Sequence, residues 1–223
     1  MAAAETHDGW HYERTLYAAG FTPVAGVDEA GRGAWAGPVT AAAVVLPHAK
    51  HAFVDSKRLT PARRQVLADE VRRVALAFSV VHAPASLVDD IGVLEATRWA
   101  VRRCVTTLHV PPAALVTDYL TRVGLPVRAP AKGEHVSWQV AAASLLAKTE
   151  RDRYMTDVAH AADDRFGFAG HKGYGAAAHR EALAKFGPSR EHRKTFAPVR
   201  SLLKGADPVH EDGRSNVTEN GLF

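Results

Sequence analysis

The sequence predicts an α/β fold, on three observations. Short runs of apolar and β-branched residues recur at 24–27, 39–46, 78–82 and 114–117, and another opens at Val127. Between them lie segments whose apolar residues return every three or four positions, the spacing of a buried helical face. No internal repeat and no linker divides the chain, and 223 residues suffice for one domain with a sizeable core. Strands alternating with helices on this scale give an α/β domain.

Taken in order, residues 1–8 read as unstructured. Trp10 to Gly20 reads as a short amphipathic helix, with Trp10, Leu16 and Tyr17 available to pack and Gly20 to end it. Val24 to Val27 is a buried strand, followed by an acidic, Gly-rich turn and a second strand, Val39 to Leu46. After a loop, Thr60-Pro61 supplies a cap and a first-turn proline, and Val66, Leu67, Val71, Val74 and Ala75 keep the helical period. Phe78 to His82 is a third strand and Pro84 to Val88 a turn. A helical stripe then runs through Val93, Ala96, Thr97, Ala100, Val101, Cys104, Val105 and Leu108, until Pro111-Pro112 stops it. Ala114 to Thr117 is a short strand with Asp118 at its end, and Val127 opens a fifth strand or an extended arm. Gln139 to Ala159 is a long helix whose small residues, Ala141 to Ser144, allow close packing on a sheet. Loops and at least one helix, Ala176 to Lys185, complete the domain. The natural divisions are an N-terminal extension over 1–20, a main domain over 21–203, and a polar tail from 204 expected to be disordered.

Bulk properties narrow the class. Apolar content of 47% and charged content of 23% belong to an ordinary globular protein. No apolar run is long enough to cross a bilayer, and the N-terminal residues lack a basic region followed by an apolar one. A lone cysteine, Cys104, cannot close an internal disulfide and lies on an apolar helical face, which fits a cytoplasmic protein. A net charge of +4 favours a polyanionic partner without proving one. The histidines show no zinc-type spacing in the core.

The chemistry centres on Asp28 and Glu29. Two adjacent acids against a core strand are costly to desolvate unless a cation or donor meets them. Neighbours on a regular strand point to opposite faces, but a twist at the strand end lets both lean toward one divalent ion. Gly31 and Gly33 permit positive φ and close approach of backbone N–H groups to a ligand. Taken alone, the segment reads first as a charged hairpin with a Gly turn.

Longer motifs decide between these readings. Asp28-Glu29-Ala30-Gly31-Arg32-Gly33 with Trp35-Ala36-Gly37-Pro38-Val39 resembles the opening signature of the type 2 ribonucleases H, bacterial ribonuclease HII in particular. Asp55-Ser56-Lys57-Arg58-Leu59-Thr60 resembles the family's second block. Lys132-Gly133-Glu134, Ala141 to Lys148, and Arg151-Asp152-Arg153 resemble its third. Gly170-His171-Lys172-Gly173-Tyr174-Gly175 and His192-Arg193-Lys194-Thr195-Phe196-Ala197-Pro198-Val199 resemble its fourth and fifth. The blocks are ordered and span residues 20 to 200.

The resemblance implies a ribonuclease H-like fold: a mixed sheet of about five strands flanked by helices, with a helical C-terminal portion from about residue 160. It implies a monomeric endoribonuclease that cuts the RNA strand of RNA–DNA hybrids and nicks DNA duplexes beside embedded ribonucleotides. Asp28, Glu29, Asp118 and Glu134 match the family's four acids, and hard oxygen ligands of this kind suit Mg²⁺ or Mn²⁺, in a two-metal mechanism. The Gly31-Arg32-Gly33 loop is assigned to sensing the 2′-hydroxyl, and Tyr174 to stacking on the sugar that follows the ribonucleotide. Lys57, Ser144, Lys148 and Arg193 are the candidate phosphate contacts, although Lys148 and Asp152, four apart on one helix, also suit a simple ion pair.

Two positions depart from the family's pattern. The fourth acid is typically Asp, and Glu134 carries its carboxylate about 1.5 Å further out. The third acid is usually followed by Gly, and here by Tyr119. Both point to a rival expectation, a hybrid-binding protein with weak or lost turnover. A junction resolvase is disfavoured, because it has no need to sense a 2′-hydroxyl.

Overall fold

The strand that carries the acidic pair, β1 (Val24–Ala30), lies at the middle of the sheet. The computed structural model describes residues 8–54, 56–129 and 137–204. Five strands, β1, β2 (Val39–Val45), β3 (Ala77–Ala83), β4 (Ala114–Thr117) and β5 (Val127–Arg128), are ordered β3-β2-β1-β4-β5. β1 runs antiparallel to β2 and parallel to β4, so the sheet is mixed.

Both faces are covered. Ala25 and Val27 of β1, alternate residues of β2, and Leu115 of β4 pack on α3 (Ala85–Ile91) and α4 (Val93–Thr107). On the opposite face, Ala42 and Val44 meet α2 (Pro61–Val74) and α5 (Trp138–Arg153). The run of small residues in α5 brings it so close to the sheet that a Cβ on Gly26 of β1 would collide with the main chain of Gln139 and Val140. Cys104 is buried in the α4 layer, and burial pushes its thiol up to about 12, so it is a core residue and not a nucleophile.

Several elements differ from their sequence reading. β1 extends three residues past Val27, because β2 keeps pairing with it to Ala30↔Thr40. The segment read as a turn after Pro84 is helix α3; Pro84 sits at its cap, where a missing N–H costs nothing. Val66 faces solvent, and α2 instead buries Arg64, Leu67, Ala68 and Val71. α5 continues as a π-helical stretch, Tyr154–His160. Beyond it come α6 (Phe168–His171), α7 (Ala177–Phe186) and α8 (Ala197–Lys204), the last missed because only Val199 of its apolar residues is buried. Phe166, Phe168, Leu183 and Val199 form a second small core with Met155, Ala159 and Ala36. Ala36 therefore ties this C-terminal portion to the Gly-rich loop after β1.

The N-terminal helix α1 (His11–Ala18) is anchored by a buried carboxylate. Glu13 accepts from the hydroxyl of Ser137, the N-cap of α5, and from Gln139. Its second oxygen is buried with no hydrogen-bond partner, and burial raises its pKa. A raised folded-state pKa favours the protonated fold. Its contribution is fully present below the unfolded pKa and is lost as pH rises through the folded value. Urea midpoints of the wild type relative to Glu13→Gln, which cannot titrate, are therefore expected to improve on acidification from neutral pH. A difference that does not change with pH would exclude this role.

Candidate active site

β4 stops pairing with β1 at Val27↔Thr117. The next residues on the two parallel strands are Asp28 and Asp118, so both acids emerge side by side where β4 ends. Alternation places Asp28 on the α5 face, the same face as Gly26. Asp28 is 7% exposed. Glu29 leans around the strand end: its Oε1 accepts from the Tyr119 hydroxyl at 3.4 Å and lies 3.5 Å from Arg32 Nη1. The Arg32 guanidinium stacks on the Tyr119 ring, 4.5 Å from its centroid. Burial pushes the Glu29 carboxyl up; Arg32 opposes this, and the Asp118 charge adds to it. Burial, with Glu29 beside it, pushes the Tyr119 phenol up to about 12. Among the described residues these acids do not close into a group of three able to hold an ion by themselves. Glu134, the fourth expected acid, lies outside the described residues.

The loop after β1 is built on two buried arginines. Gly31 adopts φ +92°, and a Cβ there would collide with the Arg151 guanidinium. Arg151, fully buried on α5, donates to the carbonyls of Pro38 (3.0 Å), Ala36 (3.1 Å) and Lys172 (3.0 Å). Arg193, also fully buried, donates to Gly37 O at 2.8 and 3.0 Å and to Arg32 O at 2.9 Å. Burial, then the neighbouring Arg151, pulls Arg193 down to about 9. Arg193, a sequence candidate for phosphate, thus presents no surface to one here; it moors the loop that carries Arg32. Of the two glycines read as permitting positive φ, Gly31 adopts it, whereas Gly33, exposed and with open space around it, does not; Gly37 does so as well.

Tyr174 stands on the other side of this loop. The carbonyl of Gly173 accepts from Trp35 N–H at 2.8 Å, which docks the Gly-Tyr-Gly segment on the Gly-rich loop. The Tyr174 ring is flanked by Arg151 at 5.1 Å and Lys148 at 5.6 Å and is 37% exposed. Lys148 also donates to Asp152 at 2.7 Å, so the ion pair read from the sequence is present. Ser144 is buried and shares a hydrogen bond of 2.9 Å with Ser56. Lys57, next to Ser56, is exposed. The structure thus gathers Asp28, Glu29, Asp118, Arg32 and Tyr119 where β4 ends, with Tyr174 and Lys148 on the far side of the Gly-rich loop, joined to that loop through Arg151. Sequence reasoning missed the mooring role of Arg151. In the sequence Arg151 stands among Lys148, Glu150, Asp152 and Arg153 and gave no signal of its burial.

A mixed five-stranded sheet with carboxylates side by side on two adjacent parallel strands, within the central one and just past the end of its neighbour, is the arrangement of the ribonuclease H-like class of nucleases. The ribonuclease HII family profile matches residues 25–199. A ribonuclease HII of Thermus thermophilus is 52% identical over 181 residues, covering 79% of this chain and 87% of that protein. The chain belongs to the ribonuclease HII family, and it is a metal-dependent endoribonuclease. Two solved structures share its fold. Ribonuclease H2 of Pyrococcus horikoshii superposes with a TM-score of 0.68 at 22% identity, covering 82% of this chain and 97% of that one. Bst-RNase HIII, solved in complex with Mn²⁺, gives a TM-score of 0.62 at 20% identity, covering 82% of this chain and 70% of that one. Among the described residues no helix is long and apolar enough to cross a membrane.

Proposed function

We propose that this chain hydrolyses the RNA strand of RNA–DNA hybrids and nicks DNA duplexes on the 5′ side of an embedded ribonucleotide, leaving 3′-hydroxyl and 5′-phosphate ends. The observation that carries the reading is the register of β1 and β4, which sets Asp28 beside Asp118 next to the Gly31-Arg32-Gly33 loop. The donor chemistry fits Mg²⁺ or Mn²⁺: the oxygens are hard, and the Asp118 charge disfavours the Glu29 carboxylate, a repulsion that a divalent cation relieves. Asp28, Glu29, Asp118 and Glu134 would hold the ions. A bound pair would supply an activated water and neutralise charge on the leaving oxygen. Around that centre, backbone groups of the loop meet the 2′-hydroxyl, which both donates and accepts, and Arg32 sets a positive charge beside Glu29. Tyr174 offers an aromatic face to the sugar beyond it, and Lys148 and Lys57 supply positive charge along the strand.

Tyr119 gives specific support to a slower enzyme. Its hydroxyl and Arg32 both engage Oε1 of Glu29, one of the two oxygens through which that carboxylate would hold a metal. Both readings meet in one assay. A duplex containing a single ribonucleotide is incubated with each ion, and the nick is mapped. The proposed activity requires a cut 5′ of the ribonucleotide; cutting elsewhere, or none with either ion, rejects it. Tyr119→Gly should raise the rate at low metal concentration several-fold, whereas an unchanged rate would show that Tyr119 does not restrain Glu29.

A further inference from the structure

Two buried histidines, His179 and His192, and a partly buried third, His171, lie behind Tyr174, and the main chain fixes the proton position on each. Ser189 N–H donates to His192 Nδ1 at 2.9 Å, so that nitrogen carries the lone pair and His192 Nε2 carries the proton. The Ser189 hydroxyl lies 2.9 Å from the same Nδ1. His192 Nε2 faces His179 Nε2 at 3.0 Å, so His179 accepts there and holds its own proton on Nδ1. His179 Nδ1–H then donates to the Tyr174 carbonyl at 2.9 Å, which also accepts from Ala176 N–H at 2.8 Å. His171 stacks on His179 with centroids 4.4 Å apart; it accepts from Gly173 N–H and donates to Phe166 O. Phe166, Phe168 and Trp35 wall the group. Burial lowers the pKa of His179 and holds His192 at about 4, which keeps both rings neutral near neutral pH.

We propose that His179 and His192 are positioning residues for Tyr174: two neutral imidazoles in series tie the main chain at Ser189 to the carbonyl of Tyr174, and so hold its ring beside Lys148 where nucleic acid is read. This rests on the reading of Tyr174 as a substrate contact. A ring that is free to swing must be ordered on binding, and that ordering opposes affinity. His179 touches no reacting atom, so its loss should act through Tyr174 alone.

A double-mutant cycle tests this. Affinity for a fluorescent RNA–DNA hybrid is measured in an Asp28→Asn background, and kcat and KM in the otherwise wild-type chain. Tyr174→Ala is expected to weaken binding about tenfold, the lower end of what an aromatic stacking contact with nucleic acid contributes. His179→Phe should weaken it by a similar factor, with KM raised and kcat nearly unchanged. Added to Tyr174→Ala, it should weaken binding no further. His179→Asn, which can place an N–H near the lost Nδ1–H, should recover most of the affinity. Multiplying effects of His179→Phe and Tyr174→Ala would overturn the relay, as would full binding by His179→Phe or failure of the Asn variant to recover any. If His179→Phe does not fold, the Asn variant alone decides, since it must bind far better than Tyr174→Ala. Full binding by Tyr174→Ala would instead remove the reading of Tyr174, and the relay's purpose with it.

Discussion

Asp28→Asn and Asp118→Asn are each expected to abolish cleavage while leaving hybrid binding intact or tighter. The amide keeps the shape of the carboxyl and can still accept a hydrogen bond, so the packing at the end of β1 should survive. What it loses is the negative charge that recruits a divalent ion. Metal-held charge stabilisation contributes several kcal/mol to phosphodiester hydrolysis, and each 1.36 kcal/mol is tenfold in rate, so a loss of about a thousandfold or more is expected. The same substitution removes repulsion toward Glu29 and toward incoming phosphates. Thermal stability should therefore hold or rise, and Kd for the hybrid should not increase. Single-turnover cleavage with Mg²⁺ and with Mn²⁺, beside a binding titration, measures both. Near wild-type cleavage by both variants would remove the metal-site assignment.

Arg151→Met should produce the largest loss of stability. Arg151 is fully buried and its guanidinium donates to three main-chain carbonyls, of Ala36, Pro38 and Lys172. A methionine fills similar volume but leaves those oxygens without that donor. A buried acceptor left unsatisfied costs about 1–3 kcal/mol. The total expected is about 3–5 kcal/mol, less what Met recovers by packing. For a domain of this size that corresponds to a Tm lowered by about 10 °C. Cleavage should fall as well, because the loop bearing Gly31 and Arg32 loses its support. Arg151→Lys should restore part of the loss, since one ammonium cannot reach three diverging carbonyls in the fork geometry of a guanidinium. A Tm within two or three degrees of wild type for Arg151→Met would show that the loop holds its shape unaided.

The α/β alternation was legible because single segments carry it: β2 as a fully buried, almost wholly apolar run and α4 as a stripe of helical period. Asp28 and Asp118 could be singled out in the sequence because each stands just after a short apolar run, whereas Glu134 follows Lys132-Gly133 and was named only from the family motif. What stayed hidden depends on long-range partners. The extension of β1 to Ala30 is dictated by its antiparallel neighbour, not by its own residues. Arg151 and Arg193 look like surface cations in a sequence, and only the carbonyls that converge on them make burial tolerable. The histidine series is likewise invisible, since Ser189, His192 and His179 meet only after α7 folds back. α3 was lost for a local reason: seven residues between Pro84 and Gly92 read equally well as a turn.

Arg151 and Arg193 grip the Gly-rich loop by its main-chain oxygens and by none of its side chains. That arrangement separates foundation from instrument. Arg32 can be exchanged for another residue while Arg193 keeps hold of the carbonyl at position 32, so long as the backbone follows the same course. The segment we propose to meet the ribose is thus open to substitution without forfeiting its anchorage, and the place to begin is Arg32, with both buried guanidiniums left alone.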